Sequence, residues 1–125
     1  MGHVNIKLRL SNPVNPGAGS IEGTALVDTG ATFTTIPKEI SRKLGLLPTG
    51  KRKVRTATQF ETLEQSFVSV EINSEVSVTP VLVSEKLDKI LVGVITLEAL
   101  GLTVDPTTGQ LRETETYLLR LLTHV

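Results

Sequence analysis

The chain has no cysteine and no tryptophan, and only one methionine, one tyrosine, three phenylalanines and two histidines among 125 residues. Without cysteine there is no disulfide framework, no thiolate nucleophile and no cysteine zinc site. His3 and His124 stand at opposite ends with no ligand partner at useful spacing, so no metal centre is expected and both are expected on the surface. Aromatics make up 3%, which leaves an aliphatic core and few platforms for stacking on sugars. No charge sign dominates: 13 Lys+Arg balance 13 Asp+Glu. That argues against nucleic-acid binding by long-range attraction. No stretch approaches the roughly 18 continuous apolar residues of a membrane span, and the N-terminus has no apolar signal-peptide core. A cytoplasmic protein with no membrane association is expected. No Gly-rich loop leads into Lys-Ser/Thr, so a phosphate site is not expected. Repeats and low-complexity segments are absent, and the length suits one domain, 1–125.

What is present is a series of short β patterns. Val4, Ile6, Leu8 and Leu10 alternate with polar residues, the period of a half-buried strand. A loop over Asn12–Gly17 leads to a second strand, Ile21–Val27, whose last residues Ala25-Leu26-Val27 are apolar on both faces. Ile36, Ile40 and Leu44 are spaced by four, predicting a short helix over 37–44 with Pro37 in its first turn and Gly45 as its stop. Val54–Phe60 and Ser66–Ile72 are expected as strand arms around 59–65. After the turn at Asn73-Ser74-Glu75, the strand Val76–Val83 is expected to turn Val76 and Val78 inward, with Val81 and Val83 as further inward positions. Ile90–Gly93 is a further apolar run, residues 94–100 a short helix closed by Gly101, and Asp105–Gly109 a turn. Lys51-Arg52-Lys53-Val54-Arg55 suits a solvated loop or strand edge. The tail Tyr117–Leu122 is apolar enough to need a cover.

The stretch 24–37, T-A-L-V-D-T-G-A-T-F-T-T-I-P, places one of only three aspartates where a buried strand ends. A carboxylate there is costly unless its charge is hydrogen-bonded. Gly30 allows close backbone approach, Thr29 brings a hydroxyl and Ala31 leaves room. Asp-Thr-Gly alone also suits an ordinary turn. A second apolar-apolar-Gly element about sixty residues on adds to the pattern.

Together these pieces resemble the retropepsin-like aspartic proteases, prokaryotic branch. The resemblance rests on Leu26-Val27-Asp28-Thr29-Gly30-Ala31, the hairpin around 54–70, Ile90-Leu91-Val92-Gly93 with the helix after it, and Leu100–Asp105 with Gly109-Gln110-Leu111. It covers roughly residues 4–112. It implies a mainly β, single-lobe, closed β-barrel or sandwich with one or two short helices and a flap hairpin, and no cofactor. It implies Asp28 as the catalytic residue, with Thr29, Gly30 and Ala31 in support. Flap and pocket residues would include Thr58, Gln59, Phe60, Val92 and Gly93, with Val81 as a further pocket position. The sequence departs from the retroviral pattern at three places. Thr32 and Val94 stand where an acidic residue and its partner arginine are found, and the expected flap tip, Thr58-Gln59-Phe60-Glu61, has no glycine.

Aspartic protease chemistry needs two carboxylates sharing one proton. Asp88, between Lys86 and Lys89, and Asp105, before Pro106, lack the following Thr/Ser-Gly. A chain of this length does not suit two such lobes, so a homodimer is expected, its twofold axis beside Thr29 and each subunit giving one Asp28. A peptide or protein substrate would lie extended under the flap, 54–68. Two other classes share some features: a glycosidase using Asp28 with Glu22 or Glu98, and a non-enzymatic dimerisation or peptide-binding module of the same fold.

Overall fold

The computed structural model describes residues 4–114. The apolar tail Tyr117–Leu122, His3 and His124 lie outside the described residues. Among those described, nine strands and two α-helices follow one another in the order β1 (Val4–Ser11), β2 (Ser20–Val27), β3 (Thr34–Pro37), α1 (Lys38–Leu44), β4 (Gly50–Arg55), β5 (Phe60–Ile72), β6 (Glu75–Ser84), β7 (Ile90–Val92), α2 (Val94–Ala99), β8 (Leu102–Val104) and β9 (Leu111–Glu113). Seven of the strands form one sheet in the order β1-β2-β7-β3-β6-β5-β4, while β8 and β9 pair separately. Antiparallel pairing of Arg9–Ser11 with Ser69–Glu71 joins β1 to β5 and closes six strands into a barrel. This mainly β architecture with two short helices is that of a single-lobe retropepsin-like fold.

The barrel core is aliphatic. Leu10, Ile36, Val68, Val81 and Val92 are fully buried, with Leu44, Leu97, Leu100 and Leu102 brought in by the helices and β8. Along β1 the inward set is Leu8 and Leu10, with Val4 and Ile6 packed partly against the core. Closure leaves one long strand to serve two purposes. Over 69–71 β5 pairs with β1, and over 60–65 the same edge of β5 pairs with β4. The β4–β5 hairpin therefore projects beyond the barrel.

That projection explains a difference from the sequence reading. The hairpin arms are 50–55 and 60–65, not 54–60 and 66–72, and residues 61–65 are strand rather than connection. Residues 60–63 pair with β4 alone and only 64–65 also join β6, so most of Glu-Thr-Leu-Glu-Gln has no buried face to enforce alternation. The turn is Thr56–Gln59, and Thr56 builds it: its N–H donates to the Gln59 carbonyl at 2.7 Å, and its hydroxyl oxygen accepts from the Gln59 N–H at 3.1 Å.

A second difference concerns β6. Val76 and Val78 are 61% and 53% exposed, whereas Val81 and Val83 are buried. The cause lies in the turn. Asn73 and Ser74 both take positive φ, 51° and 70°, giving a two-residue hairpin loop that pairs Ile72 with Glu75. This register sets Val70 opposite Ser77 and Val68 opposite Thr79 on the inner face, and turns Val76 and Val78 outward.

Helix α1 ends as its sequence indicates: Gly45 is left-handed, its N–H bonds to the Arg42 carbonyl at 3.1 Å, and the Leu46 N–H reaches the Ser41 carbonyl at 3.0 Å. Pro37 caps this helix rather than opening its first turn, because it also ends β3. Strand β3 itself, Thr-Thr-Ile-Pro, is too short to stand out in the sequence. It pairs parallel with β6 on one side and meets β7 on the other.

Candidate active site

Strand β2 runs parallel to β7, pairing Leu26 with Leu91 and Val27 with Val92. The ladder continues one residue further: the Asp28 N–H donates to the Val92 carbonyl at 2.9 Å. The chain then reverses over Asp28–Ala31. The Ala31 N–H bonds to the Asp28 carbonyl at 3.0 Å, and the Gly30 N–H to Asp28 Oδ1 at 3.0 Å. One carboxylate oxygen is thus spent on fixing the turn, and no hydrogen bond reaches the other among the described residues. Asp28 is half-buried, while Thr29 and Gly30 are exposed.

The loop is clamped from behind by the start of α2. The Ala31 and Thr32 carbonyls accept from the Val94 and Ile95 N–H groups at 2.9 and 3.0 Å. These amides open a helix and have no partner within it. Below them lies a buried hydroxyl chain: Thr34 Oγ1 accepts from the Gly93 N–H at 3.0 Å and bonds to the Thr96 hydroxyl, which meets Thr79 Oγ1 at 3.0 Å. Every buried side-chain polar atom described has a partner. Threonine and glycine around the aspartate thus have distinct physical tasks, hydroxyl bracing and close approach.

The floor in front of Asp28 follows from register. Thr35 lies opposite Leu91 on β7 and Leu82 on β6. Leu26 and Leu91 are likewise paired, and Asp28 is two residues beyond Leu26. Period-two alternation puts these side chains on the outer face, while Val27, Val92, Ile36 and Val81 face the core. Above that floor stands the β4–β5 hairpin, and between them is an open cleft of about 750 Å³. Asp28, Gly30, Ala31, Thr32 and Phe33 line it from the loop, Thr35, Leu82 and Leu91 from the floor, and Arg52–Thr56, Glu61 and Leu63 from the hairpin; Ser84, Lys86 and Leu87 complete it.

The sequence-predicted residues divide accordingly. Asp28, Gly30 and Ala31 share the cleft. Thr29 instead lines a separate hollow of about 320 Å³ with Val94, Leu97, Glu98 and Leu102. Val92 is in the core, and Gly93 is packed against the loop backbone. Thr58 and Gln59 are exposed at the hairpin turn. Phe60 is 58% exposed, with Lys53 Nζ 4.6 Å from its ring centroid. Asp88 is exposed, and Asp105 caps its own turn by accepting from the Thr107 N–H at 2.8 Å, which holds its carboxyl below the ordinary value of 3.8. Glu22 pairs with Arg9 at 3.2 Å, and Glu98 belongs to the Thr29 hollow, so neither joins Asp28 in the cleft. The cleft's other carboxylate, Glu61, is held by Lys86 at 3.1 Å.

Residues missing from the sequence reading are Thr35, Leu82 and Leu91 of the floor, and Phe33 and Arg52 of the walls. The outward facing of Leu82 and Leu91 follows from alternation, since each lies beside buried core residues, but their meeting at Thr35 depends on the pairing of β3 and has no local signal. Arg52 reaches Phe33 across the cleft, 4.5 Å from its ring centroid, and nothing local marks that contact.

A search of curated proteins gave no match. A family model described as aspartyl protease matches residues 14–104, from the loop before β2 to the end of β8. That span holds the Asp28 loop, the hairpin and the β7–α2 clamp, and it exceeds half of the chain: this protein belongs to the aspartyl protease family.

Proposed function

We propose that the chain, as a single domain over 1–125, is an aspartic endopeptidase that works as a homodimer in the cytoplasm, with Asp28 of each subunit forming the catalytic pair. The observation that carries this reading is the isolation of Asp28. It sits at the floor of an open cleft with one oxygen unengaged, and the only other carboxylate lining that cleft among the described residues, Glu61, is taken up by Lys86. Asp88 and Asp105 lie outside it. A second copy related by a twofold axis would supply the missing partner. The exposure of Thr29 and Gly30 beside Asp28 supports an interface there.

In this reading the two Asp28 carboxyls hold one proton between them. The ionised one takes a proton from a bound water as its oxygen attacks the scissile carbonyl carbon. The protonated one delivers its proton to the carbonyl oxygen, giving a neutral gem-diol. Collapse of the diol, with a proton passed to the amide nitrogen, breaks the C–N bond and restores the shared proton. The β4–β5 hairpin would act as a flap, closing over a peptide held extended along the cleft.

Peptide digestion at about pH 4–6, together with light scattering over a dilution series, tests the reading. A dimer that cuts peptides with a bell-shaped pH profile is expected. A strict monomer, or activity that stays flat up to about pH 8, contradicts the shared-proton pair. The hairpin turn, braced by Thr56 and lacking glycine, favours one alternative, a peptide-binding module of the same fold. Peptides bound but never cut at any pH would select it.

A further inference from the structure

The hairpin wall of the cleft is cationic and uncompensated. Strand β4 carries Lys51, Arg52, Lys53 and Arg55 and no acid; Arg52 shares the cleft face with Val54, Glu61 and Leu63, while Lys53 and Arg55 turn to the opposite face, 4.6 and 5.7 Å from the Phe60 ring centroid. The facing arm of β5 holds two glutamates, Glu61 opposite Val54 and Glu64 opposite Lys51. Either is close enough in register to neutralise β4. Both turn away, Glu61 to Lys86 at 3.1 Å and Glu64 to Lys38 at 3.2 Å. Among the described residues no carboxylate pairs with Arg52, Lys53 or Arg55.

Charges on an edge strand discourage pairing with other strands. That explains the presence of charge on β4 but not the way Arg52 is held. Its guanidinium stacks on Phe33, a residue of the Asp28 loop, and its Nε donates to Gln65 Oε1 at 3.0 Å. One face and one donor are therefore occupied, while the terminal Nη groups have no partner among the described residues. A guanidinium fixed in this way presents a planar donor pair at little further cost in side-chain freedom, the geometry suited to a carboxylate.

We infer that the cleft selects peptides with acidic side chains beside the segment lying over Asp28, and that the Arg52 Nη groups bind one such carboxylate. The inference rests on the peptide reading of the cleft but not on its chemistry. Aspartate and glutamate side chains ionise at about pH 4, so the selectivity is present above that value and lost below it. It also weakens with added salt.

The experiment uses the full chain carrying Asp28→Asn, so that nothing is consumed. At about pH 6, fluorescence anisotropy compares labelled peptides identical except for Glu, Gln or Lys flanking a central apolar pair. The Glu peptide binds about ten-fold tighter than the Gln peptide, and the Lys peptide weakest. Adding Arg52→Gln brings the Glu and Gln peptides to within about two-fold of each other, and Arg52→Lys restores only part of the difference. Equal binding of Glu and Gln peptides, or an unchanged preference after Arg52→Gln, overturns the inference. So does a single-stranded oligonucleotide of matched charge that binds as tightly as the Glu peptide. Incubating the same peptides with the unaltered chain separates the two claims. An acidic peptide bound but never cut defeats the peptidase reading alone, and cutting without preference defeats this inference alone.

Discussion

Gly93 lies directly against the backbone of Phe33: a Cβ at Gly93 would come within 2.6 Å of the Phe33 carbonyl carbon and oxygen, and 2.9 Å from the Ala31 oxygen. These are main-chain atoms of the loop that carries Asp28, and that loop is tied to α2 by the Val94 and Ile95 amides. The glycine of the apolar-apolar-Gly element is thus the contact surface that lets the Asp28 loop seat.

Gly93→Ala is therefore expected to destabilise the chain by about 2–3 kcal/mol or more, since neither side of the contact has a flexible end to move. Gly50→Ala is the control: that position has open space around it and lies outside the left-handed region. Denaturant unfolding should show a large drop in midpoint for the first and almost none for the second. Equal effects would show that the Gly93 contact is not tight.

The Thr34–Thr96–Thr79 hydroxyl chain gives a second expectation. Thr96→Val keeps the volume and removes the central hydroxyl, so Thr34 and Thr79 each lose a buried partner. A loss of about 1–3 kcal/mol is expected, with an unchanged denaturant slope. Because Thr34 also accepts from Gly93, activity should fall more steeply than the folded fraction. A variant as stable as the parent would mean that the chain of hydroxyls contributes nothing net.

Asp105 gives a pH expectation far from the cleft. The Thr107 N–H is the largest cause holding its carboxyl below the ordinary 3.8, with Thr108 and Arg112 adding to it. A group whose pKa is lower in the folded chain adds stability above its ordinary value and loses it as pH falls through the lowered one. The gap in stability between the parent and Asp105→Ala should be fully present at neutral pH and shrink below about pH 4. The group is exposed, so the gap is small. A gap that widens in acid would reverse the assignment.

Much of the fold is legible in the sequence because barrel strands obey alternation. Leu8 and Leu10, the apolar end of β2, α1 with its Gly45 stop, and the β7–α2 element all follow from period and punctuation. The hairpin arms are not, because residues 60–63 pair only with β4, beyond the β6 ladder, where polarity no longer reports on facing. Val76 and Val78 mislead because their facing is set by the positive φ of Asn73 and Ser74, a property of the turn rather than of the strand. At the site, the Asp28 loop announces itself through composition. The cleft floor requires the pairing of β3 between β6 and β7, which places Thr35 beside both Leu82 and Leu91 from distant parts of the chain. No local pattern carries that information.

The central claim is that two copies of Asp28 make one active centre, and subunit mixing tests it most directly. Unaltered chain and chain carrying Asp28→Asn are combined at fixed total concentration, allowed to exchange, and assayed on one peptide. The substituted asparagine keeps a side-chain oxygen able to accept from the Gly30 N–H, so the loop and the interface should persist. If each centre needs both carboxyls, activity follows the square of the active fraction, and an equal mixture retains about a quarter. A linear fall, with about half the activity retained in that mixture, would mean that each chain works alone and would contradict the paired Asp28 centre.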